Sequence, residues 1–198
     1  MDFTVRRSAQ IVIVAMFSVV ITQIIYVGLS SVGADINRSV IWTTEAVAFL
    51  AISLFALIPL VRGNHHSAAW AAVALGGVFN VIQVGMGLTM FGPLKDAGET
   101  MAPAFQSILA GAFFAYFAGK FLFGLAAILT GVGLLRSNVA TAKGVGGLAL
   151  LTGLAAMLTN LVAMAVGMDM IQSAGAAGTV ATAFLGLTLI LVTRAEQN

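Results

Sequence analysis

The chain has 198 residues, of which 60% are hydrophobic and 8% charged, against about 25% charged in ordinary globular domains. Nine Lys and Arg with seven Asp and Glu residues cannot cover a water-soluble surface, which excludes an ordinary soluble domain. The net charge of +2 is too small and scattered for nucleic acid, and the lack of cysteine excludes thiol catalysis, disulfides, iron–sulfur clusters and thiolate metal sites.

Apolar runs fall at residues 10–30, 43–61, 68–91, 102–135, 144–167 and 175–192. Each is long enough to cross a hydrocarbon core about 30 Å thick. They are continuous rather than alternating apolar with polar, which selects helices over a closed barrel. The expected fold is all-α: a polytopic bundle of six transmembrane helices forming a single transmembrane domain over residues 1–198.

Two runs need comment. Val32, Gly33 and Ala34 before Asp35 have the small-residue look of a cleavage site, and Arg6 and Arg7 precede the first run. Its apolar stretch of over about 20 residues is nevertheless longer than a signal-peptide core, so a retained span is expected. The fourth run would make a helix of about 51 Å, well beyond one crossing. The favoured arrangement is an outer interfacial helix over 102–115, with Phe105, Leu109, Ala112, Phe113 and Tyr116 at helical spacing, followed by a crossing over 116–135. The alternative has 102–119 cross first, with Lys120 at the inner surface. Gly63-Asn64 and Gly92-Pro93 are turn signals at helix ends.

Orientation follows from Lys and Arg, which are retained on the cytoplasmic side. With the N-terminus inside, Arg6, Arg7, Arg62, Arg136, Lys143 and Arg194 are cytoplasmic, and only Arg38 and Lys95 fall outside. Asp35, Glu45, Asp96, Glu99 and Asp169 sort to the opposite face. The expectation is an inner (cytoplasmic) membrane protein with both termini cytoplasmic.

Polar residues within the spans are the informative minority, because each must find a partner or bear its desolvation. Gln23 lies 16 residues after Arg7, Glu45 17 before Arg62, Gln83 17 after His66, Lys120 16 before Arg136, and Asn160 17 after Lys143. At 1.5 Å per residue they share a level about 24 to 26 Å from the inner anchors, in the outer part of the bilayer. Gly146, Ala149, Gly153, Ala156, Asn160, Ala163 and Gly167 form one small-residue stripe. Gly76, Asn80, Gln83 and Gly87 form another, and Lys120, Gly124, Ala127 and Gly131 a third. Such stripes are helix-packing faces. Glu45 is the one acid at the depth of Lys120, which makes these two a candidate ion pair; the competing reading has Glu45 facing lipid headgroups near Thr43 and Thr44 while Lys120 snorkels outward. The amides Gln23, Asn80, Gln83 and Asn160 are candidates for ligand binding or for interhelical hydrogen bonds.

Other constellations are weaker. His65 and His66 sit in a loop, and no histidine lies within a span, which argues against haem held by axial histidines. Met86 and Met90, and Met164 and Met168, are spaced four apart and form a minor candidate for a soft metal such as copper(I), though Met is also a flexible filler of apolar cores. No metalloprotease, phosphate-loop or nucleophile-elbow motif occurs, so no enzymatic activity and no cofactor are expected.

The layout of Asn37-Arg38 before the second span, Pro59 near its end, the basic turn 62–66 and the run from Ala68 resembles a family of uncharacterised bacterial inner-membrane proteins classed as a domain of unknown function. The resemblance covers about the first half of the chain. It implies a bacterial origin and a multi-helix fold, and it carries over no site. Together these features point to a non-enzymatic, transporter-like membrane protein with a polar pocket or pathway in the outer half of the bilayer, serving a small polar solute or ion. The rival is an accessory or scaffold subunit, with the small-residue stripes facing a second copy or another membrane protein.

Overall fold

The computed structural model describes residues 3–33, 38–63 and 65–195. Ala34, Asp35, Asn37 and Asn64, which complete the cleavage-like segment, the family-like layout and one turn signal, lie outside the described residues.

Six helices, each long and apolar enough to span a membrane, form a bundle: α1 (Val5–Ser31), α2 (Arg38–Arg62), α3 (Ser67–Asp96), α4 (Ala102–Leu135), α5 (Ala140–Val166) and α6 (Ile171–Ala195). Local chemistry sets several ends. Thr4 caps α1 by accepting from the Arg7 amide at 3.2 Å, relieving one of the unpaired donors of a first turn. Gly98 and Gly167 adopt positive φ, 72° and 92°, a backbone that glycine enters without a Cβ clash. Each leads into one turn of 3-10 helix, Glu99–Met101 before α4 and Met168–Met170 before α6. Arg6, Arg7, Arg62, Arg136, Lys143 and Arg194 gather at one end of the bundle, and Asp96, Glu99 and Asp169 at the other.

Helices α1, α2, α3, α4 and α6 close a ring in which each packs on the next and α6 returns to α1; α5 lies outside, against α4 and α6. The ring encloses the main apolar core, which includes Val12, Met16, Phe49, Ile52, Val73, Phe123 and Leu185. Large apolar residues also cover the exterior, among them Ile24, Leu54, Leu151 and Leu158. That inside-and-outside apolarity is what a lipid solvent requires, since a lipid-facing surface needs no polar side chains.

Glycine sets how closely the helices approach. A Cβ on Gly131 would stand 2.7 Å from the Gly146 carbonyl oxygen, and one on Gly153 would stand 2.6 Å from that of Gly124. These two crossings are one heptad apart on both α4 and α5, so the stripe of α5 is spent on α4 of the same chain rather than on a partner. Gly76 and Gly119 bring α3 against α4 in the same manner.

The expected division of residues 102–135 is corrected. No break separates 102–115 from 116–135: α4 is one helix of 34 residues, about 51 Å long. Its excess length is matched by α3, whose 30 residues span about 45 Å, so the two extend as a hairpin. The Phe91 and Phe105 rings meet at 5.6 Å, Trp42 of α2 stacks edge-on to Phe91 at 5.9 Å, and the Lys95 ammonium lies 5.4 Å from the Phe105 ring. The alternative that placed Lys120 at the inner surface is overturned as well, because Lys120 sits midway along this continuous helix.

Candidate polar cluster within the helix ring

Lys120 projects from α4 toward α6 with 0% of its surface exposed. Its stem lies over Gly178, where a Cβ would come within 2.8 Å of the lysine's own Cβ and Cδ. A residue larger than glycine would occupy that channel. The ammonium Nζ donates to Gln23 Oε1 of α1 at 2.9 Å and stands 5.5 Å from the ring of Tyr116, one helical turn earlier on α4. Thr179 of α6 donates to the same Gln23 oxygen. Tyr116 packs over Gly175, its hydroxyl 3.1 Å from where a Cβ would stand.

Glu45 of α2 is likewise buried, and its Oε1 accepts from the Thr22 hydroxyl at 2.9 Å. Thr22 and Gln23 are consecutive on α1, so one turn of that helix holds both charged groups. Glu45 and Lys120 feel each other's charge, but among the described residues no carboxylate oxygen lies within 4.0 Å of Nζ. The expected direct ion pair is therefore corrected: α1 inserts an amide and a hydroxyl where contact was anticipated. The competing expectation is corrected too, since Lys120 does not snorkel and Glu45 does not face headgroups.

The other amides do not join this cluster. Asn80 donates to the Gly76 carbonyl of its own helix at 2.8 Å and packs on Gly119 at the α3–α4 contact. Asn160 donates to Ala156 at 2.8 Å and across to the Ala174 carbonyl of α6 at 3.2 Å. Both are fully buried, and their Oδ1 atoms have no partner. Gln83 is half-buried. The common level thus resolves into a central cluster and separate packing contacts.

Deeper in the ring, the hydroxyls of Thr130 and Thr188 hydrogen-bond at 2.8 Å, and the buried Ser8 Oγ near the basic end has no partner. His65 is exposed, whereas His66 adopts a left-handed backbone, φ 61°, and presses its imidazole on Gly133 of α4. Among the methionines, Met86 ends near Gly111, Met164 packs with Phe117, Ala163 and Ala174, Met90 is exposed and Met168 opens a 3-10 turn. Among the described residues no group of three or more His, Asp or Glu is placed to hold a metal ion.

Thr22, Tyr116 and Thr179 belong to the cluster although sequence reasoning did not assign them to it. Two of them carried a signal: Tyr116 lies four residues before Lys120, on its face of α4, and Thr179 shares helical spacing with Gly175, Gly178 and Thr182 on α6, whereas nothing singled out Thr22. Compared with known proteins, the chain matches no family model, no curated protein and no solved structure.

Proposed function

We propose that this multi-pass membrane protein is non-enzymatic and transporter-like, with the cluster around Glu45 and Lys120 binding a small polar solute or ion on a route to the outer face. One observation carries the reading. A fully buried ammonium and a buried carboxylate are kept apart, each held among the described residues by one neutral side-chain partner, although an ammonium offers three donors and a carboxylate about four acceptor sites. Removing two charges from water costs several kcal/mol each in effective terms, and direct pairing is the ordinary relief. Charged residues placed within a membrane bundle without that relief mark ligand and ion pathways. Gln83, Asn80 and Asn160 lie outside the binding cluster in this reading and serve helix packing.

The rival role as an accessory subunit draws on the small-residue stripes, and it is weakened because the α5 stripe packs on α4 within the chain. The gathering of six basic residues at one end supports an inner-membrane setting with both termini cytoplasmic. The test is native mass analysis of gently purified protein, comparing wild type with Glu45→Gln and Lys120→Met. A small solute that co-purifies with wild type and is lost from both variants is expected. A stoichiometric protein partner with no solute would favour the accessory role.

A further inference from the structure

At the basic end a groove separates α1 from α6. It is lined by Arg6, Gln10, Ile13 and Val14 from α1 and by Ile190, Thr193 and Arg194 from α6. The spacing on each helix makes a stripe: positions 6, 10, 13 and 14 on one side and 194, 193 and 190 on the other. Both stripes run from guanidinium through neutral polar groups to branched apolar side chains. Farther in, the Phe17 ring sits over Gly186, 3.0 Å from where a Cβ would stand. From Arg6 to Phe17 the helix advances about 16 Å. Neither guanidinium has an acidic partner within 4.0 Å among the described residues.

We infer that this groove is a binding site for an anionic phospholipid. Arg6 and Arg194 grip the headgroup phosphate, Gln10 and Thr193 border the glycerol region, and the first part of one acyl chain lies along Ile13, Val14 and Ile190. Guanidinium is the side-chain group best matched to phosphate oxygens, because its planar fork donates two parallel bonds. Basic pockets between spans at the cytoplasmic surface recognise anionic lipids on this basis. The polar-to-apolar gradient selects a lipid over a soluble anion, since a free phosphate would leave the apolar half of the groove unused. This inference does not rest on the Glu45–Lys120 cluster and stands whether or not that cluster binds a solute.

The test titrates the full chain in mixed micelles with phosphatidylglycerol or phosphatidylcholine of the same acyl chains, following retained lipid by native mass spectrometry. Phosphatidylglycerol is expected to bind preferentially. Arg6→Gln/Arg194→Gln should lower its apparent affinity about thirtyfold, the effect of two surface basic residues. Arg62→Gln/Arg136→Gln, also at the basic end, should change it little, and Arg6→Lys/Arg194→Lys, which keeps the charge but not the fork, should lower it less than the Gln pair does. Equal retention of the two lipids would overturn the inference, as would a loss no greater in the Arg6/Arg194 variant than in the Arg62/Arg136 variant. Glycerol 3-phosphate at matched concentration, added in competition, should not displace the lipid; displacement would reassign the site to a soluble anion.

Discussion

Gln23→Leu should destabilise the protein more than Lys120→Met does, although Lys120 carries the charge. Among the described residues Gln23 Oε1 is the one side-chain oxygen that Nζ reaches, at 2.9 Å, and Lys120 has no exposed surface through which water could replace it. Removing the amide strands a buried ammonium, with the Tyr116 ring and the Glu45 field as its remaining compensation. An unsatisfied neutral donor costs about 1–3 kcal/mol and a broken buried ion pair about 3–5 kcal/mol, which brackets Gln23→Leu at about 2–4 kcal/mol. Lys120→Met instead removes the charge and its desolvation cost together. Its unbranched side chain still fills the channel over Gly178, and Gln23 keeps its hydrogen bond from Thr179. The loss should then be about 1–2 kcal/mol, below that of Gln23→Leu, because Gln23 is not orphaned while the buried Glu45 gives up only the field of the ammonium. The double variant should recover at least about 1 kcal/mol of the Gln23→Leu loss. Equilibrium unfolding in mixed micelles measures all three. A larger loss for Lys120→Met than for Gln23→Leu, or strict additivity in the double variant, would refute the assignment of Gln23 as the partner that makes the lysine tolerable.

Three further outcomes follow from the packing and the topology. Gly153→Ala should cost about 1–3 kcal/mol, because its Cβ would press on the Gly124 carbonyl and the Ile128 backbone, neither of which can rotate away; the same unfolding assay checks it, with Gly144→Ala, where nothing lies within 4 Å, as the neutral control. Asn160→Leu should cost about 0.6–2 kcal/mol by removing the hydrogen bond that the side-chain amide donates to the Ala174 carbonyl. It should loosen α6 from α5, read as faster hydrogen exchange around residue 174. Single cysteines at positions 97 and 140 should react oppositely with a membrane-impermeant thiol reagent on intact cells, Ala97→Cys labelling and Ala140→Cys not, and the reverse pattern would invert the orientation.

Much of the architecture was legible because the bilayer imposes it on any sequence. Continuous apolar runs near 20 residues must be helices in lipid, and the six runs read from hydropathy are the six helices found. The stripe from Gly146 to Ala163 likewise announced a packing face, since small residues at alternating steps of three and four line up on one side of a helix whatever its neighbour. Depth was legible too, to the extent that Gln23, Glu45 and Lys120 meet within one ring. What hydropathy could not supply was the neighbour and the angle. A 34-residue apolar run exceeds one crossing, and whether it breaks or continues depends on the equally long α3 that packs alongside it.

The same division holds for the cluster. Sequence alone determined that a lysine within an apolar run needs a partner and that one carboxylate shares its depth, because desolvation of charge is indifferent to fold. Tertiary structure alone decided the partner. The rotation of α1 places Gln23 against Nζ and Thr22 against Glu45, and the glycines of α6 open the channel for the lysine stem. Spacing along a chain measures height in the membrane, at 1.5 Å per residue. Which face of each helix turns toward which neighbour is set by the summed packing of the whole ring, and no single span contains that information.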